Sequence, residues 1–394
     1  MAELLEFLTS LFLGLWVALM AVAWVRFEKL PHGRQLYIAA WCWPLLLVDD
    51  LLRFTGIVQW KAVLTGAFSF VPVMMMALIV SMVYPLLREK PMRWKPLLWA
   101  GVGVVIACQI PLLLLSPSDK LNLLVNQPVG QPLANVSIYL TYWLSGIFIV
   151  AMGIKLVDLM QAYQHTLSEQ VVDINYYRVP TIIGLTATLV GLGFGAIVLT
   201  TMVAFNFVQF SYWQTTIHYS YAMVFLMVLI LLLERRRFSP SPLDMQALSA
   251  RKGDENQLRY VLARAEKAMI DRKAYKVIGL RIRQLADAAD VDSTTLAIAT
   301  HRLLNRNFRA FVYHYRLEYA KKVLMRTDSK VSAVARRLGF QSEKFLSDMF
   351  IKYIEVMGVK DANEFDDPID NIPDNPLDDP VHDAMKPRAN KQPT

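Results

Sequence analysis

The sequence predicts an all-α protein: a seven-helix transmembrane bundle followed by a cytoplasmic, all-helical domain with two helix-turn-helix units. Apolar residues make up 55% of the 394 residues and the mean hydropathy is +0.34, which is high for a soluble protein. Positive charge is concentrated late in the chain. Residues 251–365 hold 23 Lys or Arg against 14 Asp or Glu, compared with 15 against 12 in residues 1–250. In the later segment, amphipathic helical periodicity replaces the continuous apolar runs.

Seven apolar runs predict the transmembrane bundle, because each is long enough to cross roughly 30 Å of hydrocarbon. The first run lacks the preceding basic residues of a cleaved signal peptide, so we expect it to remain as a span. We assign residues 1–237 to this membrane domain. The runs are 4–25, 36–57, 62–87, 96–115, 136–157, 180–204 and 215–233.

The loops between these spans alternate between rich and poor in Lys and Arg. Counted with the adjoining span ends, the loops after spans 1, 3, 5 and 7 hold 12 of these cations, and the intervening loops hold 3. Cytoplasmic loops are enriched in Lys and Arg, so the N-terminus is predicted to lie outside and the C-terminal domain in the cytoplasm. The protein is therefore expected to be a multi-pass protein of the cytoplasmic membrane, with the lipid bilayer as one partner.

Four polar residues within the spans are candidates for a site that binds a signal ligand. Asp49, Asp50 and Arg53 lie in span 2, and His218 lies at a similar depth in span 7. Intramembrane charges are costly, face the bundle interior and often mark function. Asp50 and Arg53 lie three residues apart and are equally suited to a structural ion pair. Trp and Tyr residues near the outer span ends fit either an interfacial belt or the lining of a ligand pocket.

The spans carry no catalytic or metal-binding signature. Cys42 and Cys108 lie within apolar runs, where small core residues are expected rather than a disulfide or a metal pair. The glycines at 191, 193 and 195 are expected to serve helix packing, because they lack the context of a nucleotide-binding loop. The sequence thus predicts neither an enzyme nor a metal or cofactor site.

The C-terminal part divides into a linker, a folded domain and a tail. The residues SPSP at 239–242 end the span 7 helix and lie in a linker over 238–256. An amphipathic helix at 257–271 opens a domain that extends over 257–365. Residues 366–394 are rich in Pro, Asp and Asn and are predicted to be disordered.

Residues 331–353 have the pattern of a helix-turn-helix. Val331, Val334 and Leu338 fall on one helix face, and Gly339 follows where a tight turn needs a positive φ. A second apolar stripe then indicates a second short helix. The free face of that helix, where a recognition helix carries base-reading groups, holds Gln341, Ser342, Lys344, Ser347 and Asp348.

An earlier copy of this pattern lies at 282–304, with Asp290 at the turn and Ser293 able to cap the next helix. A helix at about 307–325 joins the two copies and covers roughly 28 Å, near the roughly 34 Å between successive major grooves. One chain is therefore suited to read two adjacent grooves of double-stranded DNA. The free face of the first copy is predicted to expose Ala297, Ile298, His301 and Arg302.

The candidate DNA contacts combine these free faces with nearby cations, because phosphate binding requires positive charge. Arg316 fits either a DNA contact or a structural pair with Glu318 or Glu343. Four further cations fit either DNA contacts or solvated faces: Lys321, Lys322, Arg336 and Arg337. The full candidate set is Ser293, Thr294, Ala297, Ile298, His301, Arg302, Arg306, Gln341, Ser342, Lys344, Ser347, Asp348 and Lys352.

The segment from about 270 to 365 resembles the AraC-type (AraC/XylS family) regulator domain. The residues RLEYAKKVL at 316–324 are similar to that family's linker-helix motif, and VSAVARRLGFQSEKFLSDMFIKY at 331–353 is similar to its second helix-turn-helix. The resemblance implies a one-component transcription regulator of the bacterial inner membrane. Such proteins are usually activators, with RNA polymerase as an expected partner. The other domain, here the seven-span one, would sense a signal or form a homodimer.

This sequence departs from the family pattern at three positions. Ile298 and Asp348 stand where the family commonly has Arg, and Ile351 replaces a usual Lys. Fewer cations imply altered specificity or weaker DNA affinity per site. An alternative from another class therefore stays open, a membrane transporter or signalling protein whose C-terminal domain mediates protein interaction and not DNA reading.

Overall fold

The structure, a computed structural model, describes residues 2–26, 33–54, 64–88, 91–174, 177, 180–233, 254–327, 329–340 and 342–357. Within these ranges the regular elements are helical, and one isolated antiparallel bridge joins Val171 to Arg281. The all-α prediction is therefore confirmed for the described residues. The chain forms two compact units. The first contains residues 1–164 and 179–241, and the second contains residues 165–178 and 242–394.

The first unit contains long apolar helices that account for most of the predicted spans. Pro180–Ala204 begins and ends where the sequence predicted, because Pro180 suits the first turn of a helix. Its α-helices within the described ranges are, in order, α1 Ala2–Arg26, α2 Gly33–Cys42, α3 Val48–Phe54, α4 Val71–Leu87, α5 Lys95–Leu113, α6 Pro117–Val125, α7 Val136–Thr166, α8 Pro180–Ala204 and α9 Trp213–Leu232.

Six helical segments of the described chain are long and apolar enough to cross a membrane, judged by length and composition. The third run, predicted at 62–87, gives only the 17 residues of α4, and its first two residues lie outside the described ranges. The run at 36–57 is interrupted by a 3-10 turn at Trp43–Leu47, because Pro44 lacks the N–H that a continuous α-helix requires. The short helix α6 was not predicted; the Ser116 hydroxyl caps it by accepting the Asp119 N–H at 3.2 Å.

The surface of the first unit is apolar where its helices face outward. The side chains of Trp24, Leu97 and Phe194 are 63–68% exposed. Helix α4, by contrast, is buried along most of its length. Large apolar side chains that point outward from long helices suit contact with hydrocarbon.

The second unit is a compact helical domain with an apolar core and a polar exterior. Its α-helices are α10 Glu255–Asp271, α11 Ile282–Ala289, α12 Ser293–Leu304, α13 Phe308–Arg326, α14 Val331–Arg337 and α15 Glu343–Met357. The predicted helices at 257–271 and 307–325 are thus present within two residues at each end. Residues 238–253 of the linker predicted at 238–256 lie outside the described residues, and its last three residues belong to α10 and its N-cap. The residues from 358 onward, including the predicted tail, also lie outside the described residues.

Residues 165–178, which the sequence analysis assigned to the membrane domain, belong to the second unit. We call them the docking segment. A short 3-10 turn at Leu167–Glu169 opens the segment, and the bridge from Val171 to Arg281 attaches it just before α11. Val172 is part of the apolar core of the second unit. The domain boundary at residue 237 therefore misses a part of the second unit that lies much earlier in the chain.

Candidate nucleic-acid interface and buried polar network

Helices α11 and α12 form a tight pair around Asp290. Asp290 adopts a left-handed conformation with φ of 55°, as its place in the turn predicted. The cap of α12 is Asp292, whose carboxylate accepts the Thr295 N–H at 2.8 Å. The prediction that Ser293 provides the cap was wrong, because Ser293 is already the first residue of the helix.

Helices α14 and α15 form a second pair around Gly339. Gly339 has a φ of 73°, as predicted for its turn. A Cβ atom at this position would lie 3.2 Å from Cγ1 of Ile278, so glycine also satisfies a close approach. The Ser342 hydroxyl accepts the Phe345 N–H at 3.1 Å, which makes Ser342 the cap of α15.

The long helix α13 lies between the two pairs in the chain. Asn307 caps it by accepting the Ala310 N–H at 2.8 Å. Its buried side chains include Phe308, Phe311 and Val312, which belong to the same core as α11 and α12. A rigid, well-packed helix therefore connects the two candidate recognition helices, α12 and α15.

Most of the candidate DNA contacts that the structure describes are accessible. His301 and Arg302 are exposed on the last turn of α12, while Ser293, Thr294 and Arg306 are half-buried. Gln341 and the side chain of Lys352 lie outside the described residues. On and before α15, the exposed candidates are Ser342, Lys344, Ser347 and Asp348.

Ala297 and Ile298 are buried, at 3% and 4% exposure, so the prediction that they lie on a free face was wrong. Helix α10 packs on α12 and covers the face that the apolar pattern had left unassigned. The apolar stripe that predicted the buried face of α12 is the one that meets α11 and α13. An additional amphipathic helix upstream was the available signal that a second face of α12 is covered.

Arg316 is fully buried, which rules out the DNA contact that was one of its two expected roles. Its guanidinium donates to the Tyr275 carbonyl at 2.8 Å and the Val277 carbonyl at 2.9 Å. It also donates to both carboxylate oxygens of Asp173, at 3.1 and 3.3 Å. The structural alternative was right in kind, but the acid is Asp173 of the docking segment rather than Glu318 or Glu343.

The four cations left open divide by exposure. Lys321, Arg336 and Arg337 are exposed, and Lys322 is half-buried. Together with Arg302 and Lys344, the exposed groups give the second unit positive charge that is accessible to a polyanion.

The first unit contains a buried chain of polar side chains that includes two of the predicted signal-site residues. Asp50 accepts the Thr215 hydroxyl at 2.9 Å, and its second oxygen lies 3.9 Å from Nδ1 of His218. Nε2 of His218 is 2.8 Å from the Tyr142 hydroxyl, and Gln127 donates to Thr215 at 2.9 Å. Buried charges are costly unless they are paired, and the neighbouring side chains of this network supply the partners.

Asp49 lies beside this network and accepts the Gly66 N–H at 2.9 Å. A cavity of about 30 Å³, room for about one water molecule, is lined by Asp49, Tyr142 and Gln214 among others. The predicted Asp50–Arg53 pair is not tested, because the side chain of Arg53 lies outside the described residues.

A larger cavity of about 370 Å³ lies between α5, α6 and α7, and the sequence analysis missed it. Its polar lining comes from Asp119, Asn122, Asn126 and Asn135. A volume of this order accommodates a small molecule. Three asparagines close to the ends of apolar helices were the signal in the sequence.

Comparisons with known proteins bear on the second unit alone. A family model described as a helix-turn-helix domain, of the AraC type, matches residues 285–357. The match includes α12, α13, α14 and α15 and supports a DNA-binding regulator of the AraC type. Comparisons with curated proteins and with solved structures give no significant match.

Proposed function

We propose that this protein is a membrane-tethered one-component transcription regulator that binds promoter DNA through two helix-turn-helix units and activates transcription. The observation that carries the proposal is the AraC-type match to residues 285–357 in a chain whose described residues include six helical segments long and apolar enough to span a membrane. The proposed place is the bacterial inner membrane, with the N-terminus outside and the second unit in the cytoplasm.

The two helix pairs support DNA reading by both ends of the second unit. Each has a left-handed turn residue, Asp290 or Gly339, and each presents an exposed cation on or near its second helix, Arg302 or Lys344. Helix α13 has 19 residues, or roughly 28 Å, which suits two successive major grooves. RNA polymerase and a second copy of the chain are the proposed protein partners on the promoter.

The proposed orientation has support besides the distribution of cations. The docking segment and residues 254–357 belong to one folded unit, so they must lie on the same side of a membrane. Two long apolar helices, α8 and α9, separate them in the chain. If both cross, two crossings return the chain to the side that it left. This agrees with the cytoplasmic position that the Lys and Arg count predicts for both.

The proposed signal site is the polar network of the first unit, with Asp49, Asp50 and His218 as its charged or titratable members and Arg53 beside them in sequence. Buried groups of this kind respond to a ligand that competes for their hydrogen bonds. A small ligand that enters the adjoining cavities would change these bonds and so shift the packing of the helices.

The test is chromatin immunoprecipitation of the tagged full-length protein beside a variant with Arg302→Ala and Lys344→Ala. We expect discrete promoter peaks that the double variant loses, because phosphate and base contacts supply most of the affinity for DNA. A matched control replaces Arg259 with Ala, since Arg259 is exposed but pairs with Glu255 on α10.

The alternative function makes the opposite prediction in the same experiment. If the second unit binds only another protein, the wild-type chain gives no sequence-specific peaks under any growth condition. Peaks that survive the Arg302→Ala and Lys344→Ala changes would also reject the proposed DNA face.

A further inference from the structure

The docking segment makes contacts that a simple loop between two helices does not need. It runs alongside residues 280–282 and forms two backbone hydrogen bonds with them, one as donor and one as acceptor. The Val172 N–H donates to the Leu280 carbonyl at 3.1 Å, and the Ile282 N–H donates to the Gln170 carbonyl at 2.8 Å. Val171 and Val172 are fully buried. The segment is therefore an integral part of the second unit.

Asp173 extends these contacts into the interior. Its carboxylate accepts the Gly279 N–H at 2.6 Å and both terminal nitrogens of Arg316. Arg316 in turn holds the carbonyls of Tyr275 and Val277, which precede α11. Asp173 thus neutralises a buried cation on α13. That cation connects α13 to the residues immediately before the first helix pair.

The same junction reaches the second helix pair. Nη1 of Arg316 lies 3.6 Å from the position that a Cβ of Gly339 would take, so the guanidinium abuts the turn between α14 and α15. At the other end of the docking segment, the 3-10 turn at Leu167–Glu169 packs against α13. One short segment thus contacts the elements that set the positions of both helix pairs.

We infer that the docking segment is the connection through which the first unit sets the arrangement of the two helix pairs. It continues directly from α7 and leads, within two residues of its end, into α8. A change in α7 or α8 therefore acts on Asp173 and Arg316 directly, without passing through the linker at 238–253. The signalling role rests on the proposed function, whereas the docking itself does not.

The docking is tested by cutting the linker of the full-length chain. A site-specific protease sequence is inserted between residues 242 and 252, and the purified chain is reconstituted into phosphatidylcholine vesicles, which lack the anionic lipid that a basic domain would bind. After cleavage and sedimentation at about 0.15 M salt, we expect the C-terminal fragment to remain with the vesicles. Its release from the wild-type chain would overturn the inference.

A charge reversal separates docking from general adhesion. Asp173→Lys places a second cation against Arg316, and we expect at least a tenfold rise in the released fraction, about 1.4 kcal/mol of lost attachment. The matched control Glu255→Lys makes the same change at a carboxylate that is 66% exposed, and its fragment should stay attached. Equal retention of both variants would show that Asp173 does not hold the segment, and would reject the mechanism.

A disulfide provides a measurement that does not depend on a destabilising substitution. The flanking hydrogen bonds make Val171 and Arg281 a non-hydrogen-bonded antiparallel pair, in which Cα atoms lie about 4.5 Å apart, within disulfide range. Val171→Cys with Arg281→Cys, in a chain whose Cys42 and Cys108 are replaced by Ser, should keep the cleaved halves linked until a reductant is added. The two single-cysteine variants are controls. Halves that separate without reductant would overturn the docking.

The signalling role is tested by lengthening the connections. Eight Gly and Ser residues are inserted at both 164/165 and 178/179, and promoter occupancy is followed across growth conditions that change it in the wild type. We expect the disulfide to form as before while occupancy becomes at least fivefold less responsive. A full response would reject transmission through the segment. Absence of specific occupancy in the wild type would reject the proposed function and leave the docking result standing.

Discussion

The two units treat polar and apolar side chains in opposite ways. The first unit exposes Trp24, Leu97 and Phe194 and keeps Asp50 and His218 inside. The second unit buries its aromatic side chains around α13 and exposes Arg302, Lys344 and other cations. Both units nevertheless contain a buried charge, and in both it is held by residues far away in the chain, Thr215 for Asp50 and Asp173 for Arg316.

The comparison shows which features a local pattern determines. The apolar surface of the first unit and the apolar core of the second both follow from residue type and helical period. The partner of a buried charge follows from the tertiary fold instead. Substitutions at the buried charges should therefore have the largest effects, and substitutions on exposed faces the smallest.

The largest effect is expected at Arg316. Arg316→Met leaves the Asp173 carboxylate, which is 7% exposed, without its cation. We expect a loss of about 3–5 kcal/mol in the free energy of unfolding of the second unit. Pulse proteolysis of the detergent-solubilised full chain in urea measures this, because cleavage reports the unfolded fraction.

The double variant Asp173→Leu with Arg316→Met is the control for this prediction. Replacing both partners of a buried pair with apolar groups is often close to neutral. Recovery of most of the lost stability would show that the effect arises from the unpaired charge. If the double variant is as unstable as the sum of the singles, the two residues do not act as a pair.

The corresponding change in the first unit is Asp50→Ala, which leaves the buried Thr215 hydroxyl without its acceptor. We expect a loss of about 1–3 kcal/mol. All nine Trp residues lie in the first unit, so Trp fluorescence during thermal unfolding in detergent follows this unit alone. Asp158→Ala, at an exposed carboxylate in α7, should leave the transition unchanged. An equal shift of the thermal transition in both variants would show that Asp50 contributes no more to stability than an exposed carboxylate does.

Substitutions at the two turns of the second unit should change its stability less than loss of Arg316 does, and the two turns should respond differently. Gly339→Ala forces a Cβ into a left-handed conformation beside Ile278, and should destabilise the unit by about 1–2 kcal/mol. Asp290→Gly at the equivalent turn, where φ is 55°, should be neutral or slightly stabilising. Pulse proteolysis distinguishes the two, and equal effects would contradict the assignment of both turns to one pattern.

The smallest effect concerns Glu266 on α10, where burial raises the pKa of the carboxyl above its ordinary value of 4.5. The folded state therefore binds this proton more tightly than the unfolded state, so its contribution to stability falls as the pH rises through the interval from 4.5 to the raised pKa. Glu266→Gln should flatten this part of the stability profile of the second unit. Glu255→Gln, at an exposed position, is the control, and an unchanged profile in Glu266→Gln would contradict the expectation.

Much of the fold could be predicted from the sequence because it depends on local periodicity. Pro180–Ala204 begins and ends as predicted, and α13 is displaced by a single residue at each end. The left-handed residues at Asp290 and Gly339 were also predicted, since few residue types adopt that conformation. The seven-span count is not confirmed, because six segments of the described residues are long and apolar enough to cross a membrane and α4, with 17 residues, is a shorter apolar helix.

The features that escaped prediction depend on contacts across long stretches of chain. Ala297 and Ile298 are buried by α10, a neighbour that no pattern within α12 reveals. The acid that pairs with Arg316 is 143 residues away and lies in a loop that composition alone assigned to the first unit. Glu318 and Glu343, the acids expected to pair with Arg316, are both much closer to it along the chain, and no local pattern marks Asp173 as the partner.

The discontinuous second unit has a consequence for biosynthesis. Ribosomes add about 5–20 residues per second. Asp173 therefore waits roughly 7–29 s for Arg316, since 143 residues separate them. Helices α8 and α9 are made during that wait, with Val171 and Val172 not yet covered. The second unit is therefore completed only after α8 and α9 have been made, and under the proposed topology their insertion into the membrane comes before that last folding step.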